Sequence, residues 1–127
     1  MDARRPDGGV LAFLLAFAAA SLLHHVHNAE FLLDYPNLPE SLSRGQVYAA
    51  WLGEAAIGAA GWVLFRLNYK RIGLGAIGVY ALAGFGGLAH YALAPVSAHT
   101  LAMNATIWLE VAAAALLLVA VARRMQG

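Results

Sequence analysis

The residues best suited to chemistry cluster near the end of the first apolar segment, where His24, His27 and Glu30 follow one another at intervals of three. On a helix this spacing places the three side chains on one side, spread over about 120°. Two more histidines, His90 and His99, lie far along the chain. Imidazoles and carboxylates bind zinc, copper, iron or nickel where three or four of them converge. The pattern predicts a transition-metal or haem site with the four histidines as cofactor ligands and Glu30 as an additional metal ligand.

Two other interpretations of these histidines stay open. Histidines near helix ends often lie at the lipid–water interface, and we assign His25 to that interface. His27 and Glu30 are close enough in sequence to form a local hydrogen bond. The histidines could also act as acids and bases without a metal.

Two glutamates fall inside apolar segments, where a carboxylate is costly and is often functional. Glu54 lies about 14 Å along its segment from Gly45, and Glu110 lies about 16 Å beyond His99, at 1.5 Å per helical residue. No lysine or arginine occurs at that depth. The spacing therefore predicts two layers, an outer histidine layer and a deeper carboxylate pair. Glu54 and Glu110 are the candidate catalytic residues, since facing carboxylates share a proton and suit a relay or a general acid.

The elements that must position these groups are four long apolar segments, at about 9–33, 45–65, 72–93 and 98–122. Hydrophobic residues make up 61% of the 127 residues and charged residues 12%. Each segment supplies the ~20 residues that a spanning helix needs. Because the connections are short, successive helices should be antiparallel neighbours. The sequence predicts one all-α domain over 1–127, an integral membrane four-helix up-down-up-down bundle.

The basic residues predict its orientation. They occur before the first segment, between the second and third, and after the fourth: Arg4, Arg5, Arg66, Lys70, Arg71, Arg123 and Arg124. The other two connections contain a single basic residue, Arg44. By the positive-inside rule both termini are cytoplasmic and the histidine-bearing end faces outward. The first segment resembles a signal sequence, but since the rest of the chain is equally apolar we interpret it as a retained span.

Charge and cysteine content exclude several classes of function. The net charge is +1, which argues against a nucleic-acid partner. The absence of cysteine excludes disulfides, thiolate catalysis and thiolate metal sites.

The string from His27 to Phe31, HNAEF, resembles the H-x-x-E-E signature of the HXXEE-domain family of small bacterial membrane proteins. A proline, Pro36, follows as in that family, while Phe31 replaces the second glutamate. The stretch HYALAPVSAHT from His90 is similar to the family's histidine-bearing third helix and turn. The resemblance implies a helical bundle with a His/Glu site at His27 and Glu30, in a bacterial inner membrane.

Three hypotheses of function follow, and the sequence does not decide whether the chain is an enzyme. The leading one is a metal- or haem-binding bundle. The second is an isomerase-like membrane enzyme that acts on an apolar small molecule, with Glu54 or Glu110 as acid and a histidine as base. The third is a non-catalytic subunit or assembly factor, whose polar groups hold helices together in a membrane complex or a homo-oligomer.

Overall fold

A computed structural model describes residues 8–127, and this part of the chain is helical, with no strand. The α-helices are α1 (Gly8–Glu30), α2 (Arg44–Arg66), α3 (Lys70–Ala83), α4 (His90–Leu93) and α5 (Leu101–Gln126). Short 3₁₀ turns occupy Leu32–Asp34, Gly86–Ala89 and Val96–Ala98. The all-α prediction is confirmed. Arg4 and Arg5, which contribute to the predicted orientation, lie outside the described residues.

Four stretches of the described chain are long and apolar enough to cross a membrane: Gly9–Glu30, Arg44–Arg66, Lys70–Leu93 and Leu101–Gln126. The prediction of four long apolar helices is therefore confirmed. The first span ends at Glu30, three residues earlier than predicted, because the chain turns into the 3₁₀ segment Leu32–Asp34.

The third span is a broken helix. α3 ends at Ala83, and the 3₁₀ turn Gly86–Ala89 separates it from the short α4. At the break, a Cβ on Gly84 would collide with the ring of Phe17 and with Ala114, so this position has room only for glycine. The break places His90 at the first residue of α4, where it is buried against the other helices.

Hydrogen-bonded caps fix the start of α2, which carries Glu54, and of α5, which carries Glu110. The Ser43 hydroxyl accepts from the backbone N–H of Gln46 (3.2 Å), and the Gln46 side chain accepts from the Ser43 N–H (2.8 Å). Thr100 caps α5 by accepting from the N–H of Met103 at 3.2 Å. Such caps each stabilise a helix by about 1 kcal/mol.

The interior has two halves of different character. An apolar core fills the half nearer the chain termini and includes Val10, Leu14, Phe17, Phe65, Leu74, Ile77, Tyr80, Ala81, Ala114, Leu117 and Val121. Buried polar residues fill the other half: Ser21, His24, Asn28, His90, His99, Thr106 and Glu110. We call this second half the histidine end. Since lipid gives helices no hydrophobic reason to associate, close packing and these polar contacts must hold the bundle together.

Candidate functional site

The histidine end contains a cavity of about 220 Å³. Its lining comes from every long helix and from the break in the third span: His24, His25, Asn28, Glu54, Ala83, Gly86, Gly87, His90 and Glu110. None of these nine lining residues is a lysine or an arginine. Any positive charge in the cavity must therefore come from a protonated histidine or from a ligand.

His24 and Glu110 form the deepest pair. Their side chains are almost completely buried, and His24 Nε2 lies 3.8 Å from Glu110 Oε2. The prediction of separate histidine and carboxylate layers is wrong for this pair. The predicted depths were counted along each helix from its own end, and they did not include the offset between α1 and α5.

The hydrogen bonds around His24 assign its tautomer. The Thr106 hydroxyl donates its single proton to the carbonyl of Met103 at 3.0 Å. It must therefore accept from His24 Nδ1, which lies 3.4 Å away. A neutral His24 then carries its proton on Nδ1 and presents the lone pair of Nε2 to Glu110.

His25 lies between the two glutamates. Its Nδ1 is 2.8 Å from the carbonyl oxygen of Ser21, which can only accept, so Nδ1 carries the proton. Its Nε2 is 3.8 Å from Glu54 Oε2, and its Nδ1 is 3.9 Å from Glu110 Oε1. The structure therefore places His25 inside the site and not at the lipid–water interface to which the sequence assigned it.

Asn28 and His90 add buried polar atoms that lack a partner. The Asn28 amide donates to His90 Nε2 at 3.1 Å, which places the His90 proton on Nδ1. Asn28 Oδ1 and His90 Nδ1 then have no hydrogen-bond partner, although both residues are more than nine-tenths buried. Buried polar groups are normally paired, so each such atom needs an explanation, for example a ligand or a water molecule.

Tyr35, from the loop between α1 and α2, covers the site at the histidine end of the bundle. Its hydroxyl lies 2.9 Å from His27 Nδ1, and its ring centroid is 4.8 Å from that of His90. Next to it, the Asn37 side chain donates to the carbonyl of Leu93 at 2.9 Å, which ties the loop to α4. Asn37 adopts a positive φ of 60°, which asparagine tolerates better than most residues.

Burial raises the pKa of Tyr35 from 10.0 to about 12, so the hydroxyl keeps its proton at ordinary pH. The folded state holds this proton more tightly than the unfolded state does. Its contribution to stability is therefore complete below pH 10 and is lost as the pH rises toward about 12. We expect a Tyr35→Phe variant to lose one tyrosine equivalent from the high-pH part of an ultraviolet titration. A difference spectrum that instead places the lost step near pH 10, as for an exposed tyrosine, would contradict the buried hydroxyl.

Some of the remaining predicted ligands lie close to His24, and others lie apart from it. The ring centroids of His24 and His90 are 5.6 Å apart, and those of His90 and His99 are 6.1 Å apart. His99 Nδ1 donates to the carbonyl of Pro95 at 2.9 Å, while its buried Nε2 has no partner. Glu30 is engaged elsewhere, because its Oε1 lies 2.8 Å from Arg44 and accepts from the Tyr48 hydroxyl.

The arrangement does not form an evident metal centre. Within residues 8–127, no group of three histidine or acidic side chains is placed so that it could hold a metal ion. Searches of this chain against protein-family models, curated proteins and solved structures found no match. What the site can do must therefore be argued from its own atoms.

Three contributors to the site were missed at the level of sequence. The sequence assigns His25 to the lipid–water interface, and it does not select Tyr35 or Asn28 as site residues. The Asn28 signal was present, since it lies four residues after His24 and so on the same helix face. No pattern in the sequence indicates that the loop residue Tyr35 folds back over His90.

Proposed function

We propose that this chain is a membrane-embedded acid–base protein, in which two imidazole–carboxyl pairs exchange protons with a small ligand in the cavity. The observation that carries the proposal is the position of His25, whose ring lies within 4 Å of both Glu54 and Glu110. The imidazole can take up a proton on one nitrogen while it releases one from the other. His25 thereby connects the His24–Glu110 pair to Glu54.

The geometry favours this function over the other two hypotheses. Polar groups that only hold helices together would be dispersed, each with a local partner, whereas these converge on one cavity. A haem would need more room than about 220 Å³, since even drug-sized ligands occupy pockets of roughly 300–1,000 Å³. The lack of a suitable trio of ligands in the described residues gives a metal ion less support than proton exchange.

In this proposal, protons enter and leave the cavity through one end of the bundle. Between the cavity and the terminal end lies the apolar core, in which Phe17, Ile77 and Leu117 are fully buried. Protons should therefore reach the site from the histidine end and not cross the bundle. With the termini in the cytoplasm of a bacterial cell, as the basic residues favour, this end of an up-down-up-down bundle faces outward.

The test is a pH titration of ¹⁵N-histidine-labelled protein in lipid nanodiscs, followed by nuclear magnetic resonance. At high pH, His24 and His25 should both carry their proton on Nδ1 and leave Nε2 bare. Glu54→Gln should change the ¹⁵N chemical shift of His25 Nε2, because the carboxyl group that it replaces lies 3.8 Å from that nitrogen. The chemical shift of His24 Nε2, which faces Glu110, should change less.

Glu40→Gln is the matched control, because Glu40 is an exposed glutamate of the α1–α2 loop. It should leave both chemical shifts unchanged. The opposite tautomer at His25, or a His25 chemical shift that is indifferent to Glu54, would exclude the proposed proton exchange.

A further inference from the structure

The tautomers assigned above leave the cavity rich in hydrogen-bond acceptors. His24 and His25 each hold their proton on Nδ1, toward Thr106 and the Ser21 carbonyl, and leave Nε2 as an acceptor. The carboxyl oxygens of Glu54 and Glu110 add further acceptors, and Asn28 Oδ1 is an unpartnered one. Among the buried lining atoms that have no hydrogen-bond partner, Asn28 Oδ1 and Glu54 Oε2 are acceptors and His90 Nδ1 is a donor. A ligand that fits this cavity must bring several N–H or O–H donors of its own.

We propose that the cavity binds a small protonated amine, with ammonium or a short primary alkylammonium as the ligand class. An ammonium group carries several donors and no acceptor, which complements the excess of acceptors. Its positive charge would face two carboxyl groups in a lining that contains no lysine or arginine. The proposal rests on the proposed acid–base function and names the ligand with which the site exchanges protons.

The placement of the ligand atoms supports an ammonium group more than a metal ion. Within residues 8–127, no group of three histidine or acidic side chains is placed to hold a metal ion. An ammonium group needs only acceptors that its N–H donors can reach at about 2.7–3.2 Å.

The route into the cavity is lateral. Tyr35 covers His90 at the histidine end, while Glu54 keeps 30% of its side chain exposed and Gly86 is exposed at the break in the third span. These two residues mark an opening between α2 and the broken span. An alkylammonium can enter there with its charged group first while its chain stays in the apolar surroundings.

Gly87 provides a substitution that fills the cavity without removing a polar group. A Cβ at this position would lie 3.4 Å from His24 Nε2 and 3.5 Å from Glu110 Oε2, which is close contact without a collision with the backbone. Gly87→Ala should therefore fold normally. One added methyl group in a tight pocket should weaken binding about 10- to 200-fold.

The experiment is equilibrium dialysis of radiolabelled methylammonium against the full chain in nanodiscs. We expect saturable binding of one methylammonium per chain, competition by ammonium, and no competition by tetramethylammonium, which has the same charge but no N–H donor. Gly87→Ala should weaken binding, as should Glu54→Gln. Gly75→Ala should not, since a Cβ there meets no atom within 4 Å.

Three outcomes would overturn the inference: no saturable binding, equal competition by tetramethylammonium, or displacement of methylammonium by one tightly bound divalent metal ion per chain. Histidine tautomers measured on the same samples separate the two proposals. If methylammonium does not bind while His25 still responds to Glu54, the ligand assignment alone fails. If His25 is indifferent to Glu54, the acid–base function itself fails.

Discussion

Glu110→Gln is expected to abolish proton exchange in the cavity while leaving the fold intact. Glutamine has nearly the shape of glutamate, so it can occupy the same almost fully buried position on α5. It cannot take up or release a proton, so His24 loses the carboxyl group that faces it and His25 loses one of its two. A general acid or base contributes about 10²–10⁴-fold to a rate, so proton uptake after a pH jump should slow by at least about 100-fold.

Infrared difference spectroscopy measures this effect directly. In the wild-type protein, a pH step should change the C=O stretching band of a buried carboxyl group, and this band should vanish in Glu110→Gln. The same step in Glu40→Gln should reproduce the wild-type band. A thermal denaturation curve that stays close to the wild type confirms that the bundle has folded. An unchanged buried carboxyl band in the Glu110 variant would remove Glu110 from the site.

Much of the bundle was predictable because membrane spans depend on local composition and length. The four apolar segments and the all-α class follow from hydropathy alone, and the structure contains both. The break in the third span was not predictable in this way. Glycines in an apolar segment are typical of close helix packing as well as of a break. Next to the break, Gly84 packs against Phe17, which is far away in sequence.

The sequence predicted most of the residues of the site, but it did not predict which side chains contact one another. His24, His90, Glu54 and Glu110 were selected as polar groups in apolar segments, and all four line the cavity. His25 was assigned to the lipid–water interface because histidines near helix ends often lie there, and it points about 100° around α1 from His24. Since α1 packs against both α2 and α5, the two neighbouring histidines reach different glutamates, His24 on α5 and His25 on α2.

The contact between α2 and α3 connects the stability of the bundle to the geometry of the site. The two helices approach closely at Gly61 and Gly73, where a Cβ on Gly61 would lie 2.9 Å from the carbonyl oxygen of Gly73. Small residues permit such close approach in membranes, where association depends on packing. Because α2 carries Glu54, the distance between α2 and the rest of the bundle sets the distance between Glu54 and His25.

Gly73→Ala is therefore expected to cause the largest loss of stability among single substitutions to alanine at the described glycines of this contact. The new Cβ would lie 2.5 Å from the backbone nitrogen of Phe65 and 2.6 Å from the carbonyl oxygen of Gly61, and neither atom can move without the helix. Overpacking usually costs about 1–3 kcal/mol, and a collision with backbone belongs at or above the upper end.

Gly75→Ala, two residues along the same helix in open space, should instead stabilise α3 by up to about 1 kcal/mol. Thermal and denaturant unfolding in detergent should separate the two variants clearly. If α2 also moves away from α1, the ¹⁵N chemical shift of His25 in Gly73→Ala should no longer depend on Glu54. Equal stability of the two variants would contradict the close helix contact.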